Sequence, residues 1–254
     1  MQIFLKNNLQ FVRPQWPAPE KVRAFVTTRI GGDSQSPYDA FNLAGHVGDN
    51  PNQVAANRQA LGTALNLPNE PLWLAQEHTV DAIHWQGQTY PRPPVADASW
   101  TNQSGQVCCV MTADCLPVLV TNRSGSVAAA VHAGWRGLLN GVVANAIQQL
   151  PDDPKNLLAW VGPAISQRYF EVGADVYDGF LQRNREHAAY FTHASEDGKW
   201  YADLPGLAEF ELRALGVSEV VQSGLCSYHD ESLFYSYRRD GQTGRMATLI
   251  WLED

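Results

Sequence analysis

The sequence has no CxxC pair and no HExxH motif, so spacing alone supports no metal site. Its 4 cysteines in 254 residues are too few for a disulfide scaffold. Two of them, Cys108 and Cys109, are neighbours that a strand would turn to opposite faces. No run approaches the ~20 apolar residues of a membrane-spanning helix. The opening stretch, MQIFLKNNLQFVRPQW, has no basic segment ahead of a long apolar one, which argues against a secretory signal. Positive charge is scarce: 18 Lys and Arg stand against 26 Asp and Glu, a net charge of −8. That balance disfavours a broad surface for nucleic-acid phosphates, and any bound anion must meet a local cluster of cations. There is no repeat, low-complexity segment or obvious linker. The expected setting is the cytoplasm, without a membrane or nucleic-acid partner, as a monomer or homodimer.

What is present suffices for one large core. The hydrophobic set makes up 44% of the chain and charged residues 17%, so residues 1–254 are expected to form a single domain. KVRAFVTTRIGG alternates Val22, Ala24 and Val26 on one face and reads as a strand ending in a Gly-Gly turn. DNPNQVAANRQALGTALNLP reads as a helix, with Asp49 or Asn50 as cap, Pro51 in the first turn, and Val54, Leu61 and Leu65 at helical spacing. PLWLAQEHTVDAIHW gives two short strand-like runs around a polar break. VCCVM, LPVLVT, VAAAV, LLAWVG and MATLIW read as further strands. GLLNGVVANAIQQL reads as one helix stopped by Pro151, and two more helices are expected over 172–181 and 204–215. Residues 90–99 and 184–199 read as surface loops. Strands and helices mix without regular alternation, so an α+β fold is expected. Its mixed β-sheets would carry helices packed outside, as a layered α/β/β/α-type sandwich.

Within CCVMTADCLPVLVTNRSGSVAAAVHAGWRG, Cys115 and His132 stand at or beside the ends of apolar runs. Each has an ordinary reading: free Cys is among the most buried residues, and a strand-end His often satisfies a backbone carbonyl. Each also has a reactive one. Asp114 is a charge in an apolar region that must be solvated or paired. The small-residue turn AGWRG, leading into a helix, lets a ligand come close. Two strand-end side chains separated by a short loop can point into one pocket. For a third corner, His78 in the polar break QEHT comes first and His46 second. His84 reads as packed or capping, and His187, His193 and His229 lie in polar loops.

TTRIGG, SPYDAFNLAGHVGDNP, NRQAL, TADCLPVLV, AAVHAGWRGL, GPAIS, FEVG and FYSYRRDGQTGRMATLIW together resemble the YfiH-type, laccase-domain family. Its members have been described as multicopper polyphenol oxidases, as purine nucleoside phosphorylases and as peptidoglycan editing factors. The likeness runs from about Thr27 to the C-terminus. It implies a metal triad of His78, Cys115 and His132, with zinc as the expected ion and copper as an alternative. A thiolate and two imidazoles leave a fourth position open and a net positive centre. It also implies phosphorolysis of adenosine, inosine or methylthioadenosine, and adenosine deamination as a second activity. One departure stands out: Thr79 follows His78 where the family pattern commonly has Gly.

Roles follow for the other polar residues of these motifs. Arg136 and Arg29 are candidates for phosphate, since guanidinium matches it bidentately, against a structural ion pair. Arg238 and Arg239 are further candidates, one of them pairing with Asp240. Asn42 is expected at a ribose hydroxyl or base edge, or as a local cap. Asp114 is expected to shuttle protons or orient a histidine, and Trp135 to anchor packing or stack on a base. Two other functions compete. One is a cysteine hydrolase with Cys115 activated by His132, acting on peptidoglycan precursors. The other is a copper oxidase, which needs more clustered histidines than the 7 here supply.

Overall fold

The computed structural model describes residues 2–254. The chain begins with a hairpin, β1 (Gln2–Lys6) and β2 (Leu9–Arg13), turned at Asn7 and Asn8 with φ of 51° and 64°. Asparagine tolerates that left-handed turn conformation, and flanking alternation completes a hairpin signal. β3 (Val22–Thr27) and α1 (Pro51–Leu65) follow as expected. Asn50 caps α1 by accepting from the Asn52 amide, and Asn66 closes it in the left-handed region. Next come β4 (Ala82–His84), β5 (Ala98–Thr101), β6 (Cys108–Thr112), β7 (Leu116–Asn122) and β8 (Ala128–Ala133). The expected single helix beyond them is two, α2 (Trp135–Asn140) and α3 (Val142–Gln149), broken at Gly141 with φ 99°. The rest comprises β9 (Leu157–Val161), β10 (Glu171–Gly173), α4 (Ala174–Arg183), β11 (Phe191–His193), β12 (Lys199–Ala202), α5 (Leu204–Ala214), β13 (Glu219–Gln222), α6 (Tyr237–Asp240) and β14 (Met246–Leu252).

Three expectations need correcting. The run before the polar break makes only isolated bridges, Leu72 to Cys108 and Ala75 to Val95, so just one of the two runs is a strand. Residues 184–199 are not all loop, for they hold a 3-10 turn (Arg185–Tyr190) and β11. Residues 90–99 run into β5.

The strands assemble into sheets ordered β1-β2-β3-β14-β6, β13-β9-β7-β8-β5-β4 and a small β10-β12-β11. Alternation along the strands builds the layers. Val118 and Val120 of β7 join a core with Leu138, Val142, Ile147 and Leu207 of the helices, while Leu119 joins Val110 and Ile250 between the two large sheets. Leu249 and Trp251 of β14 face the other way, onto Leu61 and Ala64 of α1. The result is helix, sheet, sheet, helix in one domain. Cys108 and Cys109 fall on opposite faces as expected, Cys108 between the sheets and Cys109 toward α1.

Candidate metal centre

The centre starts from one strand pair. β7 and β8 run antiparallel with Leu116 opposite Ala133 and Pro117 opposite His132. Cys115, one residue before β7, is therefore carried to the same end as His132. Asp114 sets the turn. Its φ is 87°, and its buried carboxylate accepts from Ser227 Oγ at 2.7 Å, Ser236 Oγ at 3.0 Å and the Arg238 amide at 2.7 Å. Among the described residues its carboxylate has no hydrogen bond to a histidine, so the expectation that it orients one is corrected: it anchors the loop that presents Cys115.

The carboxylate that does orient a histidine is Asp97, which the sequence reading left in a loop. Asp97 is wholly buried, and its Oδ1 lies 2.6 Å from His132 Nδ1. The same group accepts from the amides of Glu77, His78 and Thr79 at 3.2, 3.1 and 2.6 Å, and from Thr79 Oγ1 at 2.9 Å. Successive amides converging on one anion fix the loop, and with it His78, whose φ of 59° is left-handed. Thr79, the departure from the family pattern, thus contributes a hydroxyl to the anchor. Gln76 ties the loop to β6 by donating to Met111 O at 2.8 Å and accepting the Met111 amide at 2.7 Å.

The ligand atoms of His78, Cys115 and His132 all lie within 4.8 Å of one another, and the two rings are 5.0 Å apart. His78 Nδ1 is buried and has no hydrogen-bond partner, which a cation would supply. Burial opposes a charged His132, but the Cys115 sulfur and Asp97 outweigh it and raise its pKa to about 9. The place is thus built for positive charge, and a metal ion is what displaces such a proton. Burial, His132 and Arg136 lower the pKa of His78 despite Asp97, keeping its ring neutral and available as a ligand. These residues fit a metal ion, with Asp97 fixing the His132 tautomer behind it.

Gly134 makes the approach possible. A Cβ there would lie 2.5 Å from His78 Cε1 and Nδ1 and 3.0 Å from Cys115 Sγ. Gly134→Ala is therefore expected to fold but to weaken metal binding on the order of tenfold or more, the scale of a disturbed ligand orientation. Metal content after dialysis against a competing chelator checks this, and wild-type retention would contradict it.

The three ligands line a cavity of about 290 Å³ with His46, Gln76, Tyr237 and Arg245. It adjoins a cavity of about 560 Å³ that shares His46, Gln76 and Met111 and adds Arg58 and Trp73. Of the remaining sequence candidates, Arg136 acts on His78 through its charge but does not line the cavity, and the others fall elsewhere. Asn42 is fully buried and saturated: it donates to Ala44 O and Asp49 Oδ2 and accepts from the Ala44 and Arg245 amides. It holds a turn and has nothing left for substrate. Arg29 is engaged by Asp39 and Glu231 O, outside this cavity. Arg238 donates to Glu171 O and lies over Phe170. Arg239 pairs with Asp240. Arg136 is exposed and stacks on Trp135, which packs against the helix-side core.

Fold and site together define a single-domain α/β/β/α sandwich carrying a His/Cys/His group suited to a metal ion. The chain belongs to the family described as multi-copper polyphenol oxidoreductase laccase, whose model matches residues 23–253. It is 48% identical over 243 residues to a Shigella flexneri protein named purine nucleoside phosphorylase YfiH, covering 96% of this chain and 99% of that one. It is 45% identical over 244 residues to a Pseudomonas aeruginosa purine nucleoside phosphorylase, with the same coverage. The crystal structure of a Neisseria meningitidis protein superposes with a TM-score of 0.92 at 44% identity, over 96% of this chain and 99% of that one. Bacillus licheniformis YfiH gives 0.85 at 27% identity, over 91% and 93%.

Proposed function

We propose that this protein is a zinc-dependent purine nucleoside phosphorylase acting on adenosine, inosine and S-methyl-5'-thioadenosine, with adenosine deamination as a second activity. The observation that carries the reading is the His78, Cys115 and His132 group held by Asp97; the names of the relatives supply the reaction class. One thiolate and two imidazoles with an open fourth position suit zinc. A multicopper centre needs a larger cluster, and among the described residues this is the one such group.

In phosphorolysis the C1′–N9 bond breaks, a bond from C1′ to a phosphate oxygen forms, and the base leaves with the electron pair and takes up a proton. When bound, the ion supplies a positive centre that attracts and polarises an anion. The protein's part is positioning. Asp97 fixes His132, Asp114 presents Cys115, and Gly134 lets the ligands close up. Tyr237, 62% exposed yet lining the cavity, offers a ring face to a purine. The proposed setting is the cytoplasm; no helix among the described residues is long and apolar enough to cross a membrane.

Chelator-stripped protein is expected to lose phosphate-dependent base release from adenosine and to regain it with zinc, because three ligands leave a removable ion. Full turnover by fully demetallated protein would overturn the reading. It would favour a cysteine hydrolase instead, for which the Cys115 sulfur lies within 4.8 Å of His132, itself backed by Asp97.

A further inference from the structure

In a chain of net charge −8, an anion in the metal cavity needs a cation the protein has not already neutralised. Of the motif arginines, Arg136 has no ion pair among the described residues but does not line the cavity, and others are spent. Arg29 serves Asp39 and Glu231, and Arg239 serves Asp240, Ser227, Tyr228 and Phe234. Arg245 differs. It lines the cavity beside the ligands, with its guanidinium 5.9 Å from the Tyr237 ring, and among the described residues only its Nη1 is hydrogen-bonded, to Thr243 O and Gly244 O at 2.9 Å each. None of the ion pairs among the described residues involves it. The two carbonyls clamp one corner of the guanidinium and leave the Nε and Nη2 edge without a protein acceptor. That edge is the fork that grips two oxygens of a tetrahedral oxyanion at once.

His46 stands beside it. The imidazole has no hydrogen bond among the described residues, lines both adjoining cavities, and is exposed. Burial, then the charges of Arg245 and Arg58, lower its pKa. We propose that Arg245, with His46 at its side, is the anion subsite of the metal cavity and takes inorganic phosphate. This rests on the phosphorylase reading for the identity of the anion, and on the geometry for the place.

The test is calorimetric titration of inorganic phosphate at fixed ionic strength into zinc-loaded protein, with base release from adenosine measured in parallel. Arg245→Gln is expected to weaken phosphate binding roughly ten- to a hundredfold, the loss of a charge-assisted contact. Arg245→Lys should recover part of it, as a point charge without the fork. Arg29→Gln should stay within about twofold, as a group outside the cavity. Wild-type phosphate affinity in Arg245→Gln, with zinc content retained, would overturn the proposal, and so would a wild-type protein that binds no phosphate. Because Nη1 also clamps its own turn, melting temperature is recorded. If Arg245→Gln fails to fold, Arg245→Lys and His46→Ala decide: unchanged affinity in both overturns the proposal, and weakening in either supports it. The two readings separate cleanly. Phosphate bound through Arg245 without base release keeps the subsite and removes the phosphorylase. Base release with an unaltered phosphate KM in Arg245→Gln does the reverse.

Discussion

Cys115→Ala is expected to abolish both phosphorolysis and deamination, by more than about a thousandfold, because losing the thiolate removes several kcal/mol of electrostatic stabilisation along with the ion. The other cysteines provide the contrast. Cys108 and Cys109 lie in apolar cores, where burial pushes the Cys108 thiol up to about 12 and the Cys109 thiol higher still. Cys226 Sγ accepts from the Ser166 amide and hydroxyl at 3.3 and 3.1 Å and from the His229 amide at 3.4 Å. Alanine at those three positions should cost some stability and leave chemistry nearly intact. Steady-state rates and zinc content on all four variants check the difference. Wild-type rates in Cys115→Ala would remove the metal reading, whereas an acyl adduct trapped on Cys115 of the wild type would promote the hydrolase.

The second large effect is expected at Asp97. Burial alone would raise its pKa, but His132 and Thr79 hold it below the ordinary carboxylate value. Asp97→Asn keeps the shape, removes the charge, and turns an amide nitrogen toward groups that need an acceptor. Zinc affinity should fall about 10- to 100-fold through a loosened His132. Breaking a buried pair of this kind costs about 3–5 kcal/mol, which lowers the melting temperature by on the order of 10 °C in a domain this size. Zinc competition and thermal melts of the metal-free protein measure the two effects separately. Unchanged zinc affinity would mean that packing alone orients the ring.

β3, β6 and β14 of one large sheet, β4, β7, β8 and β9 of the other, and the α1 helix were legible from their apolar periods and caps, whereas β5 and β13 are short and carry too little alternation to stand out. The Asn7-Asn8 hairpin has a signal in paired asparagines flanked by alternation, but two short strands at the start of a chain give it little length to stand on. The Gly141 break was not, because helical spacing continues across it and only the backbone reverses. At the site, Cys115 and His132 stood out by position and His78 by its polar break, while the family resemblance was needed to join the three as metal ligands. Asp97 escaped because three amides, a hydroxyl and an imidazole reach it from other parts of the chain. Its one local trace is a carboxylate set between Ala96 and Ala98. Arg245 escaped for a similar reason: what marks it is its place in the lining of the metal cavity, which only the folded chain brings about.

β7 belongs to two cores at once, with Val118 and Val120 on one side and Leu119 on the other, and Cys115 rides at its entrance. A one-residue insertion or deletion inside Leu116–Asn122 would exchange those faces wholesale and swing the thiol out of register with His132. Size-conserving swaps keep both cores filled and the thiol in place. The strand can therefore drift in spelling but not in length, and changes of length are left to segments such as 86–94, where no strand or helix must keep step.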